Sequence, residues 1–148
     1  MFSKSGHSVT VSPSNELIGS SDAAVSVTTF IITGCRAWGT VSQDLRPRCV
    51  SLIDASRPDW YVRHAYYYLR VDPEYSTLSL PLFQQDSSFI LHTDTVHPGY
   101  YSFESLNFPD HYIRLRDDGY LWIESEDHTT AYMDAASFTF HPPDTSRK

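Results

Sequence analysis

The chain has no long apolar run, little basic charge and only two cysteines. Each shortage removes a class of function. Among 148 residues no stretch is apolar and long enough to span a bilayer as a helix. Lys and Arg total 11 against 18 Asp and Glu, a net charge of -7. That balance offers no basic face for a nucleic acid or an anionic lipid surface, so neither is an expected partner. The opening MFSKSGHS lacks the apolar core of a secretory leader. Two origins stay open: a cytosolic start at Met1, or the edge of a fragment of a secreted protein. Cys35 and Cys49 lack the second pair and the spacing of a zinc site. They can close a loop in an oxidising compartment, but with no leader in view two free thiols are the expectation.

Catalytic and metal signatures are equally scarce. There is no G-x-S-x-G, no H-E-x-x-H and no N-x-S/T acceptor. The acidic runs Asp117-Asp118 and Glu124-Ser125-Glu126-Asp127 read as solvated turns. The stretch Thr93-Asp94-Thr95 between His92 and His97 reads as a loop between units. No cofactor and no metal is implied, and the expectation is that the chain is not an enzyme.

What is abundant is aromatic. Much of the ring surface of the 10 Tyr, 8 Phe and 3 Trp belongs in a core, and the remainder is available to stack on a ligand. Trp38, Trp60 and Trp122 are expected to pack, and Tyr61 and Tyr112 to sit in the core. The length suits one domain over 1–148.

The organising feature is an internal repeat. Residues 50–64 read VSLIDASRPDWYVRH and residues 101–115 read YSFESLNFPDHYIRL. Aligned without gaps, they share S-[LF]-x5-P-D-x-Y-[VI]-R. Ser51 matches Ser102, Pro58 matches Pro109, and Arg63 matches Arg114. Each copy runs into an aromatic segment, 66–72 or 119–124, and then a strand with Phe, QDSSFILH or DAASFTFH. The Pro-Asp stretch is a turn, because Pro fixes φ and Asp bonds its own backbone. The alternating residues that follow form the returning strand. Four short strands recur in each unit, which predicts a closed all-β architecture.

A fainter copy lies at the N-terminus. HSVTVSP fits the third strand and VSVTTFIITG the Phe strand. Placing Phe30 on Phe89 puts the counterpart of Val50 before Met1. Three repeats of four strands make a β-trefoil, with units at about 1–36, 49–92 and 100–141 and a tail at 142–148. On this register the first unit is degenerate and lacks its first strand. The open edge predicts marginal stability, or self-association or a protein partner that supplies a strand. No helix is expected; SSDAAVSV (20–27) is the nearest candidate, and its β-branched residues disfavour it.

The repeat resembles the arabinose-binding domain of α-L-arabinofuranosidases, carbohydrate-binding module family 42. That family's pattern runs V-S-x-x-S-x-N-x-P-x-x-Y-[LI]-R-H, then D-A-[TS]-F. SFESLNFPDHYIRL with DAASF matches one copy, and VSLIDASRPDWYVRH with QDSSF the other. The resemblance implies a β-trefoil that binds arabinofuranose and usually accompanies a catalytic domain. It implies that the His ending the first motif and the Asp opening the second hold the sugar, with nearby aromatics. Carried over by position, these are His64 and Asp86 in the central repeat, with Tyr66 and Tyr68 alongside. The last repeat keeps Asp134, set one residue further from its Phe than Asp86 is, but has Leu115 in place of His, and the first has Val27 in place of Asp. The central pocket is therefore the intact one.

The chemistry suits those residue types. A carboxylate accepts two sugar hydroxyls at once, an imidazole serves a third, and a ring covers the apolar C–H face. Each residue also has a structural reading: His64 as a satisfied core polar group and Asp86 as a turn-former. Two functions follow. One is a non-catalytic, lectin-like module for an arabinofuranose-containing glycan. The other is a trefoil that has lost its sugar and serves as a protein-interaction scaffold.

Overall fold

A computed structural model describes residues 1–4, 6–20, 28–76, 79–93 and 98–140. Val27, the loop around Asp94 and His97, and the tail at 142–148 lie outside these described residues. The chain is all-β, as the alternating segments require. Twelve strands appear among the described residues, in three successive runs of four. The first run is β1 (Phe2–Ser3), β2 (Ser8–Val11), β3 (Leu17–Ser20) and β4 (Phe30–Gly34). The second is β5 (Cys49–Asp54), β6 (Arg57–Ala65), β7 (Tyr68–Pro73) and β8 (Phe89–His92). The third is β9 (Ser102–Ser105), β10 (His111–Leu115), β11 (Leu121–Ser125) and β12 (Phe138–Thr139).

Every described strand pairing is antiparallel. One sheet has the order β12-β1-β2-β3, and the other β4-β5-β6-β7-β11-β10-β9-β8, closed on itself where β8 returns to β5. The register is the same in each run. Phe30 pairs with Asp54, Phe89 with Ser105, and Phe138 with Ser3. Val9, Val62 and Ile113 face Gly19, Val71 and Ile123 across the second and third strands. This is a β-trefoil-like arrangement.

The register explains the core. Matching positions put Val9, Val62 and Ile113, then Leu17, Leu69 and Leu121, then Phe30, Phe89 and Phe138 into one hydrophobic cluster. Each such side chain contributes roughly 2 kcal/mol on burial. Met1 joins them, at the place that Leu52 and Phe103 fill in the other runs.

That placement corrects the reading of the N-terminal unit. Its first strand is shortened to Phe2–Ser3, not absent, and pairs with β2 and β12. Ser8–Val11 is the second strand and Leu17–Ser20 the third, which the sequence reading passed over. The alignment on Phe30 misled because the first unit is shorter between its third strand and its Phe strand, so one gapless shift cannot serve both ends. The edge expected to be open is thus closed over two residues.

Two short helices also depart from expectation. α1 (Leu80–Asp86) and α2 (Thr130–Ala135) precede β8 and β12. Ser79 caps the first through Leu82 N, and Thr129 caps the second through Tyr132 N. Neither is long enough to show helical periodicity.

The cysteines are bonded, against the expectation of free thiols. Cys35 and Cys49 form a disulfide with their Cα atoms 5.2 Å apart. The cause is the β4–β5 register: Gly34 faces Val50, so the next residue on each strand meets its partner. The bridge is buried with Val41 and Ile90 in a second, smaller cluster.

Candidate functional site

Strand β6 ends at the site. Val62 points into the core, and alternation sends His64 to the same side, two residues nearer the rim. Helix α1 lies on β6 and ends at Asp86, which puts its carboxylate beside the imidazole. His64 Nε2 lies 3.5 Å from Asp86 Oδ1. The predicted pair is brought together by elements that meet only in the folded chain.

A third residue joins them from the next unit. Asn107, in the β9–β10 loop, donates from Nδ2 to Asp86 Oδ1 at 2.8 Å. Its amide nitrogen is thereby committed, so its Oδ1 faces His64 Nε2, also at 2.8 Å. A carbonyl oxygen only accepts, so Nε2 carries the proton and donates. Ser105 Oγ donates to the same Asn107 Oδ1 at 3.2 Å and closes the ring by lying 3.3 Å from His64 Nε2. On its other side Asp86 Oδ2 accepts from Arg63 Nη2 at 3.2 Å. Arg63 is itself held over the Phe83 ring of α1, with Asp72 3.8 Å away.

The group is buried: His64 is 4% exposed and Asp86 6%. Burial is the leading cause that pushes the His64 pKa below its usual 6.5, against the raising effects of Asn107 and Asp86. The imidazole is therefore neutral at pH 7. The cover is Phe108, whose ring packs edge-on against His64 at 5.2 Å. Phe108 also meets Tyr67 at 5.5 Å and His111 at 5.9 Å.

The other predicted residues lie elsewhere. Tyr66 projects from the β6–β7 turn and is almost fully exposed. Tyr68 faces away from His64, because it pairs with Ala65 while His64 pairs with Leu69. Its ring meets Trp122 instead. The turn at Tyr66-Tyr67 breaks the alternation that would have ordered the three tyrosines, so Tyr67 reaches Phe108. Asp134 is half-exposed on α2, 3.8 Å from Lys4 Nζ. Counting back from the paired phenylalanines, Ala135 and not Asp134 stands where Asp86 does. Asn107, Ser105 and Phe108 were not singled out from the sequence. Asn107 does stand at the Asn of the quoted repeat pattern, which is the signal that marks it.

Residues 21–140 match the family profile of the alpha-L-arabinofuranosidase B domain. The chain belongs to this family. No curated protein matches it. Among solved structures, an arabinofuranosidase complexed with arabinofuranosyl-alpha-1,2-xylobiose aligns over 90% of this chain and 27% of its own, at 18% identity and a TM-score of 0.66. A GH54 arabinofuranosidase soaked with a cyclic sulfate inhibitor aligns over 62% of this chain and 19% of its own, at 22% identity and a TM-score of 0.54. Interleukin-36alpha, a pro-inflammatory cytokine, aligns over 89% of this chain and 84% of its own, at 17% identity and a TM-score of 0.60. The chain spans about a quarter of the length of the first of these, 27%.

Within this member of the arabinofuranosidase B domain family, the two positions that match His64 differ. In the last unit Leu115 and Ala135 line a cavity of about 540 Å³, with Lys4, His7, Arg116 and Asp134 around it. In the first, Val11 lines one of about 530 Å³ with Thr10, Thr28, Thr29 and Asp54. At the described positions neither carries a histidine and a carboxylate at the matching pair of places.

Proposed function

We propose that this chain is a non-catalytic carbohydrate-binding module whose working site is the His64–Asp86 pair, its ligand a glycan bearing arabinofuranosyl groups. We read 1–148 as one domain of three repeats, at about 1–36, 49–92 and 100–141. The observation that carries the reading is the meeting of His64 and Asp86 at 3.5 Å. Family membership and the arabinofuranosyl ligand of the similar structure support it.

The roles follow from the geometry. Arg63 and Asn107 fix the Asp86 carboxylate, and each of its oxygens keeps a second lone pair for a sugar hydroxyl. Asn107 Nδ2 keeps its second hydrogen for a sugar oxygen, and the His64 Nε2 proton, given to Asn107 Oδ1, orients that amide. Phe108 covers the pair, so a furanose enters when that ring swings off His64 and then lies against the C–H face of the sugar. The buried disulfide fits an oxidising compartment.

The test is calorimetric titration with an arabinofuranosyl-substituted oligosaccharide, alongside Asp86→Asn. The amide keeps the shape and the helix end but accepts at one atom only. Saturable binding by the native chain and its loss in the folded variant are expected. Binding that survives the substitution would remove Asp86 from the site, and release of arabinose during titration would contradict a non-catalytic role.

The burial of His64 and Asp86 favours a second reading: the network serves the fold, and the surface serves a protein partner. No sugar binding by a folded sample would select it.

A further inference from the structure

The β6–β7 turn holds two tyrosines in a conformation that L side chains rarely adopt. Tyr66 has φ 51 and Tyr67 has φ 72. The equivalent turns are one residue longer and take a positive φ at a single residue that tolerates it, Asn15 at φ 70 in the first unit and Gly119 at φ 84 in the last. The turn therefore needs no tyrosine, and the central unit carries two against its backbone preference. Strain of this kind persists where the side chain is wanted at the surface.

The surface it makes is aromatic and concave. Tyr67 is 51% exposed and lies near-parallel to the His111 ring at 6.2 Å. Phe108 bridges both to His64. Beside them opens a hollow of about 360 Å³, lined by Tyr67, His111 and Trp122 with Arg116, Glu124 and Ser125 at its rim. Exposed ring faces with charged and hydroxyl groups at their edges match one ligand class well. A chain of pyranoses presents flat C–H faces to rings and equatorial hydroxyls sideways to donors and acceptors.

We propose that Tyr67, Phe108 and His111 form a platform for the pyranose main chain of a branched glycan, adjoining the pocket that takes its arabinofuranosyl branch. This rests on the preceding reading for the branch and stands by itself for the main chain. Phe108 belongs to both sites, so main-chain binding and opening of the His64–Asp86 pocket are coupled through one ring.

The experiment compares three soluble ligands by calorimetry: methyl arabinofuranoside, unbranched xylohexaose, and an arabinofuranosyl-substituted xylo-oligosaccharide. The variants are Tyr67→Ala and Tyr67→Asn; asparagine tolerates positive φ and so keeps the turn. The branched ligand is expected to bind about tenfold tighter than the methyl furanoside. Both variants should lose about that factor for the branched ligand and leave the furanoside within about twofold. Xylohexaose binding that depends on Tyr67, without furanoside binding, supports the platform and removes the furanose reading. Branched-ligand binding that ignores Tyr67 but fails in Asp86→Asn overturns the platform and keeps that reading. Silence from all three ligands with a folded chain overturns both.

Discussion

His64 and Asp86 in the central unit occupy the same two places in the strand register as Leu115 and Ala135 in the last. The surroundings diverge completely. The first pair sits under Phe108 in a closed ring of hydrogen bonds with Asn107, Ser105 and Arg63. The second opens onto a cavity of about 540 Å³. There Leu115 packs over Gly19, where an added Cβ would come within 2.7 Å of its Cδ1. An aliphatic side chain against a glycine thus solves the packing at this corner of the fold. The polar cage is not a requirement of the architecture, and among the described residues only the central unit carries it.

The comparison breaks first at Asp86. Asp86→Ala leaves Arg63 leaning on Asp72 at 3.8 Å and orphans the Asn107 amide. Removing one partner of a buried pair costs about 4 kcal/mol, read by urea denaturation. At the matching place, Ala135→Ser should stay within about 0.5 kcal/mol. A small effect at Asp86 would mean that the cage is solvated and the contrast between the units illusory.

Next comes the disulfide, which ties β4 to β5 at the head of the central unit. Cys35→Ser with Cys49→Ser releases a loop of 14 residues separation. Lost cross-linking of that span costs about 3 kcal/mol, on the order of 10 °C in the thermal midpoint. Reducing agent should reproduce the shift in the native chain and leave the double variant unchanged.

A finer contrast lies one strand away. Ser51 and Ser102 match in the repeat, and both are buried. Ser51 Oγ donates to Ser87 O at 2.7 Å and accepts from Arg36 N at 3.0 Å. Ser102 Oγ has no hydrogen-bond partner among the described residues. Ser51→Ala should therefore cost about 1.5 kcal/mol, and Ser102→Ala should be neutral or stabilising, in the same denaturation assay.

How much of this was legible in the sequence depends on distance along the chain. The repeat laid out the strands of the last two units, because S-[LF] and Y-[VI]-R alternate in period two and the Pro-Asp turn separates them. The His64–Asp86 pair followed from the family resemblance, and the structure brings it together. Asn107 reaches that pair from the following unit, and no local pattern reports a contact between units. Asp134 matches Asp86 by the acid that opens the second motif, but one extra residue separates it from Phe138, and that phenylalanine sets the frame and puts Ala135 in the place of Asp86. The cysteine pairing depended on the β4–β5 register, which composition does not carry. Tyr67 was hidden because a turn with two positive φ values cancels simple alternation.

The smallest effect is the one in pH, and it tests whether the cage is closed. Burial leads in holding the His64 pKa below its usual 6.5 in the folded chain. The unfolded chain takes up a proton near that usual value, so between the two pKa values it binds more protons than the folded one. Stability therefore rises with pH across that window: the contribution is fully present above 6.5 and is lost as pH falls below it. His64→Gln keeps a polar group in the cage but does not titrate, so its thermal midpoint should fall less than the native one between pH 7.5 and 5.5. Leu115 contributes no such slope in the last unit, so the pH dependence separates the two corners of the fold without any ligand. Parallel curves for native and His64→Gln would show that water already reaches the imidazole, and that Phe108 is not the lid on the pocket.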